Sequence, residues 1–145
     1  MTVARKAWGK STSLTREPMV HSDVIHVKAG GFCSIHRHNS KANVFHVLKG
    51  MLIVRQLAAL NASAYQRAIG PGESRVVPAG VWHQFWCPSE CYALEVYLPH
   101  LDGLVVEAED IERHPACEVG GITATAHTLD EQWARAFGGV LCQSK

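Results

Sequence analysis

Three histidines of this chain have the spacing expected of metal ligands. His36 and His38 lie two residues apart in a run of strand-forming residues, and side chains two apart on a strand point to the same face. His83 follows a Pro-Ala-Gly turn and begins another strand-like run, so it is the best candidate for a third imidazole from a neighbouring strand. Imidazole suits transition metals better than calcium or magnesium. The sequence therefore predicts a site for one divalent transition metal, with zinc, iron, nickel and manganese as candidates.

Two spaced motifs contain these histidines. The first reads G-x5-H-x-H-x4-N-x6-G over residues 30–50, and the second reads G-x5-P-x-G-x2-H over residues 72–83. Together they resemble the two signature motifs of the cupins, except that cupins usually place a glutamate where this chain has Asn43. The resemblance implies an all-β chain folded as a single cupin jelly-roll β-barrel. It also implies a metal held by His36, His38, His83 and Asn43.

The asparagine changes the chemistry expected of such a site. The neutral amide oxygen of Asn43 is a weaker donor than a carboxylate, which makes Asn43 either a weak fourth ligand or a group close to the metal. A nearly three-histidine site keeps the full charge of the metal and favours an anionic substrate, as in the thiol dioxygenases that this arrangement resembles. The change also removes a possible proton carrier. Glu95, in the strand-like run 92–98, is a possible replacement, although the sequence leaves open which face it takes.

A second resemblance rests on shorter segments. Trp8-Gly9 and the segments 28–31, 94–96 and 109–112 are similar to the cupin domain of type II mannose-6-phosphate isomerases. This resemblance implies sugar-phosphate isomerisation as an alternative activity. The chain departs from that family at Asn43, where the family has a carboxylate.

Alternation along the strand-like runs predicts which other residues surround the metal. Phe45 shares a face with Asn43, so His46 is expected to point outward. The residues expected to line the pocket are Phe32, Ser34, Phe45, Phe85, Cys87 and Glu95. Packing in the barrel core is the simplest role for the three phenylalanines, and Cys87 is expected to be a small apolar filler.

The order of the segments predicts one barrel with extensions at both ends. Short strands separated by Gly/Pro turns are typical of a sandwich or jelly roll. We divide the chain into an N-terminal segment (1–22), the cupin barrel (23–113) and a C-terminal extension (114–145). Thr128 and Glu131 have capping-box spacing, so a short helix is expected from Thr128 to Phe137, followed by Gly138-Gly139.

Composition limits the function classes. The chain has 145 residues and a net charge of +1, so it carries no charge excess for binding nucleic acid or a membrane. Its five cysteines form no C-x-x-C pair, and its first residues lack the apolar segment of a secretory signal. Reduced thiols and a cytoplasmic location are therefore expected. A homodimer is expected because small cupins expose a sheet edge and the N-terminal segment is long enough to pair with a neighbour.

Three functions are compatible with these features. The first is a metal-binding cupin that holds a small molecule, such as a carbohydrate-like one, inside the barrel. The second is a metal-dependent enzyme, either a sugar-phosphate isomerase or a three-histidine dioxygenase. The third is a metal-free cupin that senses a ligand or has a structural role.

Overall fold

Two facing β-sheets form the protein, as the sequence predicts for a jelly roll. The computed structural model describes residues 1–57, 64–100, 105–138 and 143–144. The first sheet contains, in spatial order, β1 (Val3–Lys6), β2 (Gly9–Glu17), β3 (Val20–Val27), β10 (Cys91–Pro99), β5 (Lys41–Lys49) and β8 (Ser74–Val77). The second contains β11 (Glu112–Arg113), β4 (His36–Arg37), β9 (His83–Trp86), β6 (Leu52–Leu57), β7 (Ala64–Ile69) and β12 (Gln143–Ser144). Neighbouring strands are antiparallel, apart from the parallel pair β7 and β12.

Strand β5 shows how the sequence pattern sets the inner face. Its buried residues alternate with partly exposed ones, so Asn43, Phe45 and Val47 all face the barrel interior. His46 points outward, as predicted, and its Nδ1 lies 2.7 Å from the Ser74 hydroxyl on the neighbouring strand. The period of two is clear here because one face of the strand packs on the core and the other faces solvent.

The N-terminal segment continues the first sheet. β1 and β2 form an antiparallel hairpin, and β2 pairs along most of its length with β3. Trp8, in the hairpin turn, is buried with its ring edge-on to Phe85 at 5.1 Å between centroids. The N-terminal segment, which the sequence analysis expected to pair with a neighbouring molecule, thus pairs within its own chain. Strand β1 is the edge strand of the first sheet.

A helix covers the outer face of the second sheet. Helix α1 (Ala126–Phe137) begins two residues before the predicted start, because the capping box is formed by Thr125 and Thr128. Gly138 ends it in the left-handed conformation (φ 69°). The buried helix residues Leu129 and Trp133 pack in a second hydrophobic cluster beneath the helix. Strand β9 therefore lies between the barrel core and the helix, which explains why all four of its residues are buried.

Gly30, at the start of the first motif, packs closely against the backbone of the C-terminal segment. Its φ of 73° lies in the left-handed region, and a Cβ there would lie 2.3 Å from the Ile122 carbonyl oxygen. The motif glycine is thus required by backbone conformation and close packing.

The described residues contain neither a membrane-spanning helix nor a disulfide bond. No helix among them is long and apolar enough to cross a membrane. Cys33, Cys87, Cys91 and Cys117 are free and buried, whereas Cys142 lies outside the described residues.

Candidate metal centre

The three predicted histidines meet on the inner side of the second sheet. His36 and His83 are direct partners in the antiparallel pairing of β4 and β9, and His38 follows just after β4. The ring centroids lie 4.4 Å apart for His36 and His83, 5.0 Å for His36 and His38, and 5.4 Å for His38 and His83. One nitrogen from each ring lies within 4.8 Å of the others, and all three residues are buried.

Backbone carbonyls fix the tautomer of each imidazole. The Nδ1 atoms of His36, His38 and His83 lie 2.9, 2.6 and 3.0 Å from the carbonyl oxygens of Ser34, Asp110 and Val81. Because a carbonyl oxygen only accepts, each Nδ1 must donate, which leaves the lone pair of each Nε2 free. The Nε2 atoms of His38 and His83 are buried without a hydrogen-bond partner. Such unpaired buried acceptors are costly, and a metal ion bound by the Nε2 atoms would satisfy them.

Burial keeps these imidazoles neutral. Removal from water lowers the pKa of His36 well below its ordinary value and lowers the pKa of His83 to about 3, and the neighbouring imidazoles add to both effects. The pKa of His38 is also lowered, again mainly by burial. Neutral imidazole is the form that binds a metal, so at neutral pH no proton has to leave these rings before a cation enters.

Asn43 is oriented by a buried carboxylate. Its Nδ2 donates to Glu95 Oε1 at 3.0 Å, while its Oδ1 is buried without a hydrogen-bond partner. The inner-face position next to Asn43 is Phe45, whose ring centroid lies 6.4 Å from that of His83. The Oδ1 atom of Asn43 is therefore free to bind a ligand. It lies on the same inner face of β5 as Phe45, the residue whose ring is near His83.

Glu95 faces the interior, which the sequence left open. In β10 it is paired with Phe45 on one side and Asp23 on the other, both of them buried. Burial raises the pKa of Glu95, while hydrogen bonds from Tyr97 and Asn43 act in the opposite direction. The Tyr97 hydroxyl donates to Glu95 Oε1 at 2.7 Å. The carboxylate of Glu95 thus contacts the amide nitrogen of Asn43 and is not a member of the imidazole cluster.

Comparison with known proteins agrees with this geometry. The pattern of the family described as "Cupin domain" matches residues 23–97, slightly more than half of the chain. The chain belongs to the cupin family. A search of curated proteins finds no match.

Solved structures with this cupin's fold belong to several different proteins. Oxalate decarboxylase from Bacillus subtilis superposes with a TM-score of 0.65 at 15% identity, covering 77% of this chain and 29% of that one. KdgF from Halomonas sp. gives 0.55 at 16% identity, covering 64% and 82% of the two chains. CapF in complex with 3-isopropenyl-tropolone gives 0.63 at 15% identity, covering 77% and 33%. The cupin thus spans less than a third of the oxalate decarboxylase chain, and at these identities the likeness shows the fold alone.

A cavity lies beside His36, one of the three clustered histidines of this cupin. Its volume is about 260 Å³, and its walls include three of the predicted lining residues, Ser34, Phe85 and Glu95. Two other predicted lining residues belong to the barrel core: Phe45 is fully buried, and Cys87 is buried with its thiol 3.2 Å from the Lys28 carbonyl oxygen.

The structure corrects the position of Phe32. It packs in the cluster beneath helix α1, beside Trp86 and Trp133, instead of facing the histidines. The prediction assumed continuous alternation from Phe32 to His38. The strand begins only at His36, and Phe32 makes isolated bridges, so the period of two does not extend back to it.

Several residues around the site were not predicted from the sequence. Asp110 supplies the carbonyl for His38, and its carboxylate accepts hydrogen bonds from the Asn39 and Ser40 backbone at 2.9 and 2.7 Å. Tyr97 and Arg113 line the cavity. These residues carry no local signal, because they come from segments that are distant along the chain and meet the histidines only in the folded structure.

Proposed function

We propose that this cupin binds one divalent transition metal through the Nε2 atoms of His36, His38 and His83, and that the metal holds a small polar molecule in the adjoining cavity. One observation supports the proposal most directly: each of the three Nδ1 atoms donates a hydrogen bond to a backbone carbonyl. The three Nε2 lone pairs are therefore left free within one cluster. Asn43, with a free buried oxygen, is proposed as a weak fourth ligand or a group beside the metal.

The donor set determines what the metal would supply. Three imidazoles and one amide are all neutral, so a bound ion keeps its double charge and acts as a Lewis acid on oxygen ligands. A molecule with an anionic or hydroxyl oxygen is the natural occupant, which includes carbohydrate-like compounds. Zinc, iron, nickel and manganese are all compatible with this set, and Bacillus subtilis oxalate decarboxylase, which shares the fold, has Mn(II) centres.

A metal-dependent enzyme is the second candidate, and Glu95 is the observation that favours it. Its buried carboxylate and the Tyr97 hydroxyl line the same cavity as His36. Burial raises the pKa of Glu95, and a carboxyl group placed beside a substrate can act as a general acid or base. Such a pair would serve an isomerase of the sugar-phosphate type, whereas uptake of oxygen by an iron-loaded protein would favour a dioxygenase.

Metal analysis of matched histidine variants tests the proposal. The parent should purify with close to one equivalent of a transition metal. His83→Ala should lower the affinity more than the roughly 10-fold to 100-fold typical of losing a supporting hydrogen bond, whereas His46→Ala should leave it unchanged because His46 lies outside the barrel. A His83 variant that keeps its metal, or a His46 variant that loses it, would show that the site is misplaced. A parent with no affinity for any of the four metals would favour the metal-free alternative.

We also propose a homodimer. All four residues of the edge strand β1 are exposed, and an exposed edge can pair with another chain. Light scattering should give twice the chain mass of 15.9 kDa, and a value equal to one chain at micromolar concentration would contradict the proposal.

A further inference from the structure

Arg113 lies beside the histidine cluster on strand β11. In the pairing of β11 with β4, Arg113 is opposite His36 and Glu112 is opposite Arg37. Glu112 and Arg37 form an ion pair at 2.8 Å, whereas Arg113 lines the cavity that contains His36. This difference follows from the strand, since neighbouring residues point to opposite faces. A guanidinium group thus stands at the wall of the cavity, next to the proposed metal ligands.

Lys6 supplies a second cation to the same space. It ends strand β1 and lines the cavity beside His36, and it shares with Arg113 an adjoining cavity that reaches His38. Within the described parts of the chain, neither Arg113 nor Lys6 has a hydrogen bond or ion pair from its side chain. Both are exposed, so each is available to an anion that enters from solvent.

Within the described residues, the carboxylates around the cavity form no ion pair with these two cations. Asp23 is paired with Arg16 at 2.5 Å. Glu95 accepts hydrogen bonds from Asn43 and Tyr97, and the charge of Lys6 reaches it only through space. Glu109 and Glu118 lie among the lining residues but are exposed, where solvent screens their charge. The inner carboxylates are therefore hydrogen-bonded or ion-paired to other protein groups, whereas Arg113 and Lys6 have no direct ion-pair partner among the described residues.

The size and walls of the cavity limit its occupant. A volume of about 260 Å³ is below the roughly 300–1,000 Å³ typical of sites for drug-sized ligands, which favours a small occupant. Trp8, Phe85 and Ile111 form apolar parts of the wall, and Ser11 and Ser34 add hydroxyl groups. This mixture suits a short hydroxylated carbon chain.

We infer that the cavity binds a small hydroxylated anion, whose carboxylate or phosphate group pairs with Arg113 and Lys6 and whose hydroxyl end faces the three imidazoles. The guanidinium fork matches the geometry of either anionic group. The inference rests on the proposed metal site, because the metal provides the second anchor for the ligand. It narrows the class of small molecule and assigns Arg113 as the residue that selects for negative charge.

Titration calorimetry on the full chain loaded with zinc tests this assignment. Glycerate, glycerol 3-phosphate and glycerol have a similar three-carbon skeleton but carry a carboxylate, a phosphate and no charge, respectively. At least one charged probe should bind measurably tighter than glycerol. Arg113→Gln should weaken that binding roughly 10-fold to 100-fold, the loss expected for charge-assisted hydrogen bonds. The matched control Arg67→Gln removes the same charge from an exposed position on β7, and it should change the affinity less than twofold.

The zinc content and thermal midpoint of each variant separate the possible outcomes. If Arg113→Gln is unstable, Arg113→Lys replaces it, since it keeps the charge but loses the fork, and it should give an intermediate affinity. Equal binding of glycerol and both charged probes, or unchanged binding in a zinc-loaded Arg113 variant, would overturn the inference and leave the metal proposal standing. A parent that holds no zinc would instead fail the metal proposal. Charged probes would then be titrated into that metal-free protein. Weaker binding by Arg113→Gln would support the role of Arg113, whereas no binding at all, or equal binding by the variant, would overturn that role.

Discussion

Replacement of Asn43 by aspartate tests how the site balances charge. The aspartate has nearly the same shape, but it removes the Nδ2 proton donated to Glu95 and places a carboxylate oxygen about 3.0 Å from Glu95 Oε1. Two unit charges at that distance repel by about 5.5 kcal/mol at an effective dielectric constant near 20. The metal-free variant is therefore expected to keep one proton on the carboxyl pair at neutral pH.

This shared proton makes metal binding depend on pH. In the parent, burial lowers the pKa of His36, His38 and His83, so the ligands are already neutral and the affinity should change little between about pH 6.5 and about pH 8. In Asn43→Asp the metal must displace the shared proton, and the affinity should rise by about tenfold per pH unit. Near pH 8 the variant should bind more tightly than the parent, because an anionic ligand has joined a neutral set.

Competition with a chromophoric chelator over this pH range measures the effect. The double variant Asn43→Asp/Glu95→Gln removes the second carboxylate and supplies an amide that donates to the aspartate. It should therefore bind tightly with little dependence on pH. The single variant Glu95→Gln completes the double-mutant cycle. If Asn43→Asp matches the parent in both affinity and slope, Asn43 is not near the metal; if the double variant keeps the slope, Glu95 is not the source of the proton.

Three other perturbations have defined outcomes. Asp110→Ala releases the segment whose carbonyl orients His38, and the metal affinity should fall roughly 10-fold to 100-fold in the chelator assay. The metal-free protein should lose stability on acidification: burial lowers the folded-state pKa of His83 to about 3 from 6.5, so the unfolded chain takes up the proton first. This one group lowers the free energy of unfolding by about 1.4 kcal/mol for each pH unit below about pH 6.5. In denaturant titrations, His83→Gln should reduce the pH dependence of the free energy of unfolding by that amount. Trp133→Ala removes a fully buried ring beneath helix α1 and should cost about 3–5 kcal/mol, whereas exposed Arg135→Ala should cost about 1 kcal/mol or less.

Local periodicity explains why the sequence alone identified the three histidines that cluster in the structure. His36 and His38 share a face because they are two apart, and the turn before His83 starts a strand that pairs with theirs. In β5 the same rule placed Asn43 inward and His46 outward. The prediction for β5 was correct because Asn43 and His46 lie within one regular strand, where the geometry of the backbone fixes the relative directions of the side chains. His38 directly follows the two-residue strand β4, and it still meets His36 and His83 in one cluster.

The same rule failed where the backbone is irregular or the signal is short. Phe32 lies outside any regular strand, so its distance along the chain from His36 does not set its direction. The helix begins at Ala126 because Thr125 forms the capping box with Thr128. The sequence pattern pointed instead to a box starting at Thr128. The first residue of a helix depends on which of several nearby hydroxyl groups accepts hydrogen bonds from the first backbone amides.

Sheet pairing between distant segments determined the rest of the site. Asn43 and Glu95 are 52 residues apart, and His38 lies 72 residues from the carbonyl of Asp110 that orients it. Arg113 reaches the cavity only because β11 pairs with β4. Periodicity describes directions within one element, whereas the register between strands depends on the packing of the whole barrel. The sequence therefore determined which imidazoles could bind a metal, and the tertiary structure decided which carboxylate, carbonyl and cations surround them.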